Sequence, residues 1–592
     1  MQYKLYETKQ WSDNVIEQVL YNRGITDQLT YLHLKDNVVI PFDNLDNIHH
    51  AVNLFLKHFE KNHKIEILID SDPDGFCSAA MMFSYIKRVN AEYPVQYILH
   101  KRPKAHGLTD DITIAEDTKL LIIPDASTND TKQCKSLSEK GIDILILDHH
   151  EKETENPYAV IVNNQTSDGY ANKDFCGAGV VYKFLQALDE EMWNDFANDY
   201  LDLCALANIA DVMDIRSFET RYLIDCGLNN IRNKFLKALI KAQDYSINGK
   251  INIHNVQWYL VPVLNGMVRV GSFEEKDLMF RAFVEQDEFF EYKKRATKDK
   301  PSETIQESIY DRAARLCKNA KARQDKMKDK GFQAIVDTIG GMQDYNQIVM
   351  CDTTELLDGG LTGVVAMKVA DKYKKPCILL KKYFDKEIGL EVFSGSARNI
   401  NHSPIVDFKK VVNSTGFIKG RGHANAFGIV ALPVTEFNHA IESLNYILRD
   451  IVYDSTYNVD YIMDINDVNL KLITDLEVFD NLIGQGIDEP IIAVEQIEMY
   501  RDEFVIFGKN EDTISFTYNE IKYVQFKCKE GNGLYDFLQN AWGEDDSVVF
   551  NIVGKPSIND YKGVKTPQIV IEDVEVIKTF IGTPMVDDDD DW

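Results

Sequence analysis

The sequence predicts an α/β protein with two α/β domains, a helical linker between them and a small C-terminal β-barrel. Short apolar runs alternate with longer amphipathic stretches between about residues 51 and 230, which is typical of strands and helices in a parallel sheet. The alternation returns between about residues 331 and 440. From about 450 to 580, short β-rich runs are broken by Gly, Asn and Asp, as in small barrels.

The composition is that of a globular protein without a membrane span. The chain has 592 residues, a net charge of −29, 44% hydrophobic and 27% charged residues, and its length fits three or four domains of roughly 100–200 residues each. No apolar run approaches the roughly 18 residues of a membrane helix, and the N-terminus has no apolar core of the secretion-signal type. Nine scattered cysteines without a CxxC pair predict a reducing cytoplasm.

The domain limits follow from local composition. Residues 286–330 are rich in Lys, Glu, Gln and Arg, which favours a solvated helix or helix pair. The last residues, five Asp followed by Trp592, are of low complexity and are predicted to be disordered. The predicted segments are a helical lead-in (1–50), the first α/β domain (51–285), the helical linker (286–330), the second α/β domain (331–445), the β-barrel (446–580) and the acidic tail (581–592).

Apolar runs mark the individual elements. In the first α/β domain the predicted strands are Ile65–Ile69, Leu120–Ile123, Ile142–Leu147 and Val160–Val162, and the predicted helices are Phe76–Val89 and Val180–Leu188. In the second domain the predicted strands are Gln347–Cys351, Cys377–Leu380 and Ile429–Leu432, and the predicted helix is Leu361–Tyr373. In the barrel the predicted strands are Phe504–Phe507, Val548–Val553 and Gln568–Val574.

Acidic residues and histidines follow three strands of the first domain. They are Asp70, Asp72 and Asp74 after the first strand, Asp125 after the second, and Asp148, His149 and His150 after the third, while Asp211 ends an apolar helical stretch further along. Because ligands collect outside the carboxyl ends of the strands in an open parallel sheet, these side chains are expected to converge in one crevice.

Such a cluster predicts a metal site, because burying these acids without cations would be costly. An EF-hand calcium loop does not fit, since position 12 counted from Asp70 is Met81 rather than Glu. A polar turn that caps the following helix is the alternative. Carboxylate oxygens with one or two imidazoles suit Mn²⁺ or Mg²⁺ better than structural zinc. Two such ions about 3.5–4 Å apart would be suited to attack on a phosphate ester.

The motif Asp148-His149-His150, with Asp70-x-Asp72-x-Asp74-Gly75 upstream, resembles the DHH phosphoesterase superfamily. Within that superfamily the sequence is similar to the RecJ family of single-stranded-DNA exonucleases, nearly from end to end. Other segments that match in the first half are Asn22-Arg23-Gly24, Asp125, Gly177-Ala178-Gly179, Ile209-Ala210-Asp211-Val212 and Leu264-Asn265-Gly266-Met267-Val268-Arg269. Those in the second half are Gly395-Ser396-Ala397-Arg398, Gly422-His423-Ala424-Asn425-Ala426-Phe427-Gly428 and, for an oligonucleotide-binding (OB) barrel, residues 559–574.

The resemblance implies a site for two divalent cations, Mn or Mg. The implied metal ligands are Asp70, Asp72, Asp74, Asp125, His149, His150 and Asp211, with Asp148 as a ligand or as support for one; Asp148, His149 and His150 would be the catalytic residues. Two positions depart from the family. Leu68 stands where some members have a further His, and Arg421 stands where the family usually has Gly, which adds a cation at the substrate-binding turn.

A second set of residues is expected to hold the substrate. Arg398 follows a predicted Gly-Ser-Ala turn, where a guanidinium and backbone N–H groups could clamp a phosphate, and His423 lies in a Gly-flanked loop. A surface salt bridge and a packed loop histidine are the respective alternatives. The residues that the resemblance assigns to substrate binding are Arg102, His106, Asn265, Arg269, Ser396, Arg398, Arg421, Gly422 and His423, and Tyr561 and Lys562 are barrel candidates for stacking and phosphate contacts.

Together these features lead us to expect a metal-dependent exonuclease that hydrolyses single-stranded DNA to mononucleotides in repair, recombination or replication, with the resemblance implying 5′→3′ polarity. The alternatives are a phosphodiesterase for short oligonucleotides or cyclic dinucleotides and a non-catalytic scaffold derived from the nuclease fold. The acidic balance argues against general nucleic-acid affinity, so DNA should bind only in a local basic channel around Arg102, Arg398 and Arg421.

The expected partners are single-stranded DNA and a single-stranded-DNA-binding protein or other replication or repair protein. The second kind of partner would bind through the acidic tail, Asp587 to Trp592; a solubilising end is the alternative for that segment. We expect a monomer in the cytoplasm, without membrane association.

Overall fold

The computed structural model describes most of the chain and divides it into two compact units. The described residues are 1–6, 12–102, 105–109, 112–294, 301–340, 346–385, 389–400, 403–453, 456–541, 543, 545–561 and 563–581. The central unit is Leu34–Tyr453, and the terminal unit combines Met1–His33 with Asp454–Trp592. Within the described residues, no helix has the length and apolar character needed to cross a membrane.

The N-terminal segment begins with a strand that the sequence did not predict. Its elements are strand β1 (Gln2–Leu5) and helices α1 (Val15–Asn22) and α2 (Gln28–Leu32). Helix α1 begins after Asn14, whose side chain accepts hydrogen bonds from the N–H groups of Ile16 and Glu17. Strand β1 is short and half-exposed, so its sequence carries little apolar signal.

The first part of the central unit contains the predicted parallel sheet. Its elements are α3 (Ile48–Phe59), β2 (Lys64–Ile69), α4 (Pro73–Val89), β3 (Val95–Leu99), β4 (Thr118–Pro124), α5 (Thr131–Ser138), β5 (Asp143–Asp148), β6 (Val160–Asn163) and α6 (Gly177–Met192). The five strands are parallel in the order β3-β2-β4-β5-β6. The central strands are nearly continuous apolar runs, as expected for strands buried on both faces.

Helices follow this sheet along the chain. They are α7 (Leu201–Ala210), α8 (Phe218–Asn229), α9 (Lys234–Ala242), α10 (Asp244–Ile247), α11 (Ile253–Asn255), a π-helical turn (Val256–Leu260), α12 (Val261–Val270) and α13 (Phe273–Phe283). Helix α7 delivers Asp211 at its C-cap, and α12 carries Asn265 and Arg269 one turn apart, on the same face.

The segment after α13 is not purely helical, which corrects the expectation of a helix or helix pair. Strands β7 (Phe289–Lys294) and β8 (Glu303–Ser308) pair antiparallel and precede one long helix, α14 (Ile309–Ile339). The guanidiniums of Arg312 and Arg315 lie 4.4 Å and 4.0 Å from the ring centroids of Phe290 and Tyr292. The strands thus contact α14 through cation–π contacts and through the ion pair of Arg315 with Glu307 of β8, and such polar contacts leave no apolar periodicity in the sequence.

The second sheet of the central unit is mixed. Its elements are β9 (Val349–Asp352), α15 (Thr362–Tyr373), β10 (Cys377–Asp385), β11 (Leu390–Arg398), α16 (Phe408–Ser414), β12 (Gly420–Gly422), β13 (Ala426–Pro433) and α17 (Phe437–Ile447). The strand order is β12-β13-β11-β10-β9, and of these pairs only β9 with β10 is parallel.

The segment Gly395–Arg398 lies in strand β11, so the predicted turn before Arg398 is wrong. The pairing of β11 with β13 shifts between Phe393 and Gly395, and a Cβ at Gly395 would lie 2.0 Å from the carbonyl oxygen of Leu379. The close approach requires glycine at position 395, and a glycine inside a strand weakens the sequence signal for that strand.

The C-terminal part of the terminal unit is a seven-stranded OB-like sheet. The elements of this part of the chain are β14 (Thr456–Val459), β15 (Tyr461–Asp464), α18 (Leu470–Leu476), β16 (Ile492–Tyr500), β17 (Val505–Phe507), β18 (Thr513–Tyr518), β19 (Ile521–Gln525), α19 (Gly533–Asn540), β20 (Ser547–Tyr561) and β21 (Val564–Phe580). The seven strands from β15 to β21 form the sheet. The strand order is β15-β16-β20-β21-β19-β18-β17, and among the described residues no pairing joins the two outer strands. The sheet is therefore open rather than a closed barrel.

The N-terminal segment is built into this terminal unit. Strand β1 pairs with β14 in parallel. The buried guanidinium of Arg23 donates hydrogen bonds of 2.8 Å and 3.0 Å to the two carboxylate oxygens of Asp460. The predicted domain limits are finer than the two units and stay a prediction. The predictions for Lys562, the Tyr561 side chain and the acidic tail fall outside the described residues.

Candidate active site

The first acidic loop lies between β2 and α4. Asp72 is the N-cap of α4, and its Oδ1 accepts a hydrogen bond of 2.9 Å from the backbone N–H of Gly75. A Cβ at Gly75 would lie 2.6 Å from the Cβ of Asp70, so the tight turn requires glycine. Asp70 is buried; it accepts a hydrogen bond of 2.9 Å from the N–H of Gly107 and lies 2.9 Å from Nδ1 of His106.

Asp74 and Asp125 meet at the N-terminus of α6. Asp74 accepts hydrogen bonds from the backbone N–H groups of Gly177 (2.7 Å) and Ala178 (2.8 Å), which orients its carboxylate along the helix dipole. Asp125 follows β4 with a φ of 65° and is 1% exposed. A Cβ at Gly177 would lie 2.5 Å from the Cβ of Asp125. The small residues that begin α6 therefore leave room for both carboxylates.

Asp148 is surrounded by protein donors. Its Oδ1 accepts hydrogen bonds from the backbone N–H groups of His149 (2.7 Å) and His150 (3.2 Å) and lies 2.8 Å from Nδ1 of His150. Its Oδ2 accepts from the N–H (3.1 Å) and the hydroxyl (2.6 Å) of Thr128. Asp148 therefore contacts the backbone of both histidines and the ring of His150.

His149 lies among the remaining acids. Its Nε2 is 3.1 Å from Oδ1 of Asp125, 3.4 Å from Oδ2 of Asp211 and 4.0 Å from Oδ2 of Asp74. The ring of His150 lies 4.5 Å from that of His149, between centroids. The structure thus brings together the predicted metal-site residues, which come from the ends of three strands and one helix.

Burial and mutual repulsion shift the pKa values of the acids upward. Burial and the charge of Asp74 raise the pKa of both Asp125 and Asp211 well above the usual range. Burial, with the charges of Asp70 and Asp74, raises the pKa of Asp72 to about 6. The cluster therefore holds more carboxylate than it can ionise without added positive charge.

The two histidines of the motif are shifted in opposite directions. Burial and the charge of His150 lower the pKa of His149 to about 4. Burial acts in the same direction on His150, but the adjacent carboxylate of Asp148 outweighs it and raises the pKa of His150 to about 9. His149 is therefore neutral at pH 7, which is the form that binds a metal.

The donor set fits divalent cations. Three groups each have ligand atoms within 4.8 Å of one another; they are Asp125 with Asp148, His149 and His150, then Asp74 with His149 and Asp211, and Asp70 with Asp72 and Asp125. Oδ1 of Asp125 is buried without a hydrogen bond, as expected for an oxygen that binds a cation. Carboxylate oxygens with imidazole nitrogens are ligands that suit Mn²⁺ and Mg²⁺.

Two guanidiniums lie close to this cluster. Burial lowers the pKa of Arg269, although the charge of Asp72 acts in the opposite direction. Burial and the charge of Arg269 lower the pKa of Arg398. Neither arginine forms an ion pair with any described residue. A Cβ at Gly363, in the first turn of α15, would lie 2.6 Å from Nη2 of Arg398, so this glycine leaves space for the guanidinium. Ser396 lies beside them, with its hydroxyl 2.9 Å from that of Thr362.

The segment that begins with Gly422 and His423, in the second sheet, also lies close to the histidines. Partial burial and the charges of Lys409 and His150 lower the pKa of His423. Lys409 donates a hydrogen bond to the carbonyl oxygen of Gly422, whose φ is 118°. Arg421 forms an ion pair of 3.0 Å with Glu153, which lies just after the Asp148-His149-His150 motif.

The residues predicted to bind substrate before the second strand are placed as follows. His106 contacts Asp70 and lies 4.8 Å from His150, between ring centroids, so it borders the acids and histidines, and its role in substrate binding stays a prediction. Arg102 is exposed, and its neighbours at 103–104 lie outside the described residues. Sequence reasoning missed Thr128 and Asn163. Asn163 ends strand β6 and donates to the hydroxyl of Thr128 and the carbonyl of His150, so the rule used for the other strand ends would have found it.

Comparisons with known proteins identify related families and proteins. Residues 64–208 match the DHH family, N-terminal domain, and residues 459–573 match the RecJ OB domain. YorK of Bacillus subtilis (strain 168), provisionally named an SPbeta prophage-derived single-strand DNA-specific exonuclease, is 34% identical over 585 residues, which are 98% of this chain and 99% of YorK. The single-stranded-DNA-specific exonuclease RecJ of the same strain is 25% identical over 563 residues, which are 92% of this chain and 65% of that protein.

The fold has a solved counterpart. The crystal structure of RecJ in complex with Mn²⁺ from Thermus thermophilus superposes with a TM-score of 0.70 at 16% identity, covering 96% of this chain and 76% of that one. The similarity to YorK over the full length of both proteins, with a DHH match at the metal cluster and a RecJ OB match in the terminal unit, shows that the chain belongs to the RecJ-like family of the DHH superfamily.

Proposed function

We propose that this protein is a divalent-metal-dependent exonuclease that hydrolyses single-stranded DNA to mononucleotides. The observation that carries the proposal is that two oppositely charged sites lie close together in the central unit. One is a cluster of carboxylates and imidazoles suited to cations, and the other is a pair of arginines, Arg269 and Arg398, without carboxylate partners among the described residues. A phosphodiester requires both, and relatives named as single-stranded-DNA exonucleases support the choice of substrate.

In this proposal two Mn²⁺ or Mg²⁺ ions are held by the predicted ligands. These ligands are Asp70, Asp72, Asp74, Asp125, His149, His150 and Asp211. We assign Asp148 the role of orienting the histidines. When bound, such ions lower the pKa of water and stabilise negative charge that develops on a phosphate. RecJ of Thermus thermophilus has been crystallised with Mn²⁺ and with Mg²⁺, which supports this choice of metals.

The side chains of the chain bind and orient the strand. Arg269 and Arg398 neutralise the phosphate next to the cluster, with the Ser396 hydroxyl as a further donor. His423, Arg421 and the backbone at Gly422 bind the strand on the side of the second sheet. Asn265 shares a helix face with Arg269, and Arg102 and His106 complete the proposed set. Asp148 keeps His149 and His150 in place, as its hydrogen bonds support.

A single experiment separates this function from its alternatives. The protein is incubated with Mn²⁺ and long single-stranded DNA labelled at its 5′ or 3′ end, a linear dinucleotide or a cyclic dinucleotide. We expect mononucleotides released from the 5′ end of long DNA and no release by a His149→Ala variant. Cleavage confined to the small substrates would contradict the proposed substrate. No cleavage at all with intact Mn²⁺ binding would favour a scaffold.

We further propose that the acidic tail, Asp587 to Trp592, recruits a single-stranded-DNA-binding protein or another replication or repair protein, and that the enzyme is a cytoplasmic monomer. Five acids followed by an aromatic residue support the first part, and nine free cysteines, eight of them buried, support a reducing compartment. Removing the tail should abolish capture of the partner and leave the nuclease rate on naked DNA unchanged, while light scattering should give the mass of one chain. Unchanged capture would contradict the role of the tail.

A further inference from the structure

Helix α7 ends in a Schellman motif whose key position is occupied by valine. Asp211 is the C-cap, and Val212 follows it in the left-handed region with a φ of 58°. The N–H of Val212 donates to the carbonyl of Ile209 (3.3 Å), and the N–H of Met213 donates to the carbonyl of Asn208 (3.0 Å). These are the two hydrogen bonds that define the motif, and glycine is the usual residue at the position of Val212.

Valine is an unfavourable residue for this backbone. A β-branched side chain in the left-handed region is a true conformational outlier. Among the described residues with a positive φ, Val212 is the only β-branched one. Burial does not offset the cost, because the side chain of Val212 remains 44% exposed. Stability alone would therefore favour Gly or Asn here, and strain of this kind tends to persist where a side chain is needed for function.

The position of Val212 beside the cluster indicates which function its side chain serves. It directly follows Asp211, whose carboxylate lies 3.4 Å from Nε2 of His149 in the metal cluster. Consecutive Cα atoms are about 3.8 Å apart, so the backbone of Val212 lies one residue from a member of the cluster, and Val212 is exposed there. Its isopropyl group can neither bind a cation nor donate a hydrogen bond to a phosphate. It is suited to van der Waals contact with the apolar parts of a nucleoside.

We propose that Val212 is a substrate-binding residue that packs against the sugar and base of the terminal nucleotide, and that the strained backbone is retained for this contact. The inference rests on the proposed function, because it requires a nucleotide at the metal cluster. Contact without hydrogen bonds would not distinguish between bases, as an exonuclease without sequence preference requires. The role lies in binding rather than in the chemical step.

The test compares Val212→Gly and Val212→Asn with a control at Trp193. Trp193 also occupies a left-handed helix end, with a φ of 57°, and is 94% exposed. It follows the last turn of α6, whose first turn contacts Asp74, so it lies about 24 Å from the cluster. Trp193→Gly and Val212→Gly should both raise Tm. Only the changes at Val212 should raise KM for single-stranded DNA, by about five- to tenfold, with kcat unchanged.

A binding measurement tests the inference without relying on turnover. In Mn²⁺, titration calorimetry should show weaker binding of a deoxynucleoside 5′-monophosphate to Val212→Gly than to the wild type, with equal binding of inorganic phosphate. Unchanged nucleotide affinity and KM would overturn the proposal. A lower kcat or weaker Mn²⁺ binding at unchanged KM would overturn it too, since Val212 would then only position Asp211. A wild type that binds the nucleotide but does not degrade DNA would contradict the proposed function and not this contact.

Discussion

Nη2 of Arg421 lies 3.0 Å from Oε2 of Glu153, and this ion pair links the second sheet of the central unit to the loop after the Asp148-His149-His150 motif. The loop is well fixed, because the N–H of Glu153 donates a 2.7 Å hydrogen bond to Asn129, the neighbour of Thr128. Arg421 is thus held by a carboxylate at the site where the proposed strand would pass. A phosphate must compete with Glu153 for the same guanidinium.

Removing the charge of Glu153 should therefore strengthen DNA binding. Glu153→Gln is expected to lower KM for single-stranded DNA about two- to fivefold at low salt, as for an exposed ion pair, and less at high salt. Glu155→Gln is the matched control, because Glu155 carries the same charge two residues away and pairs with Lys152 instead. If both variants bind DNA equally well, net charge and not release of Arg421 explains the effect.

We expect Thr128 to be required for Mn²⁺ binding or catalysis, although it is not among the residues proposed to bind substrate. Its hydroxyl is 2.6 Å from Oδ2 of Asp148, which accepts a hydrogen bond from the backbone N–H of His149, contacts the ring of His150 and is proposed to orient them. Thr128→Val keeps the shape and removes this donor, so Mn²⁺ affinity or kcat should fall about 10- to 100-fold. Thr131→Val, in the same region but bonded to Thr154, should leave both unchanged. Wild-type values for Thr128→Val would contradict the orienting role of Asp148.

Metal binding should release protons. In the metal-free protein burial and neighbouring carboxylates raise the pKa of Asp72 to about 6 and also raise the pKa values of Asp125 and Asp211 well above the usual range, so these carboxyls gain protons as the pH falls into the mildly acidic range. A cation binds the deprotonated forms, so Mn²⁺ affinity should increase as the pH rises from 5 to 7. Calorimetry in buffers of different ionisation enthalpy measures the proton release directly. Affinity that does not change with pH would mean that other groups bind the metal.

The glycine beside Arg398 offers a test of the arginine pair. In Gly363→Ala the new Cβ would meet Nη2 of Arg398 at 2.6 Å, and the flexible guanidinium would have to move. We expect about a tenfold or larger rise in KM for DNA, as for loss of a charge-assisted hydrogen bond, without loss of Tm. Gly359→Ala is the control, because its Cβ would have only an ordinary 3.8 Å contact with Lys381. Equal KM values for the two variants would rule out phosphate binding by Arg398.

The sequence allowed the metal cluster to be predicted because parallel strands place their carboxyl ends at one edge. That rule brought Asp125 and His149 together from residues far apart in the chain. It did not place His106, because a loop rather than a strand end carries this residue to Asp70. Strand β11 was not predicted, because Gly395 serves a close backbone contact that composition alone does not reveal. The strain at Val212 is a backbone property and leaves no trace in residue type.

Arg23 and Asp460 are 437 positions apart in the chain, yet they form a buried pair in the terminal unit. A ribosome adding about 5–20 residues per second needs roughly 20–90 s to make the chain between them. Throughout that interval β1 has no partner, while the whole central unit emerges and can fold. Synthesis thus imposes an order on folding: the central unit can fold first, and the segment that contains β1 reaches its final place only after the C-terminal part has been made.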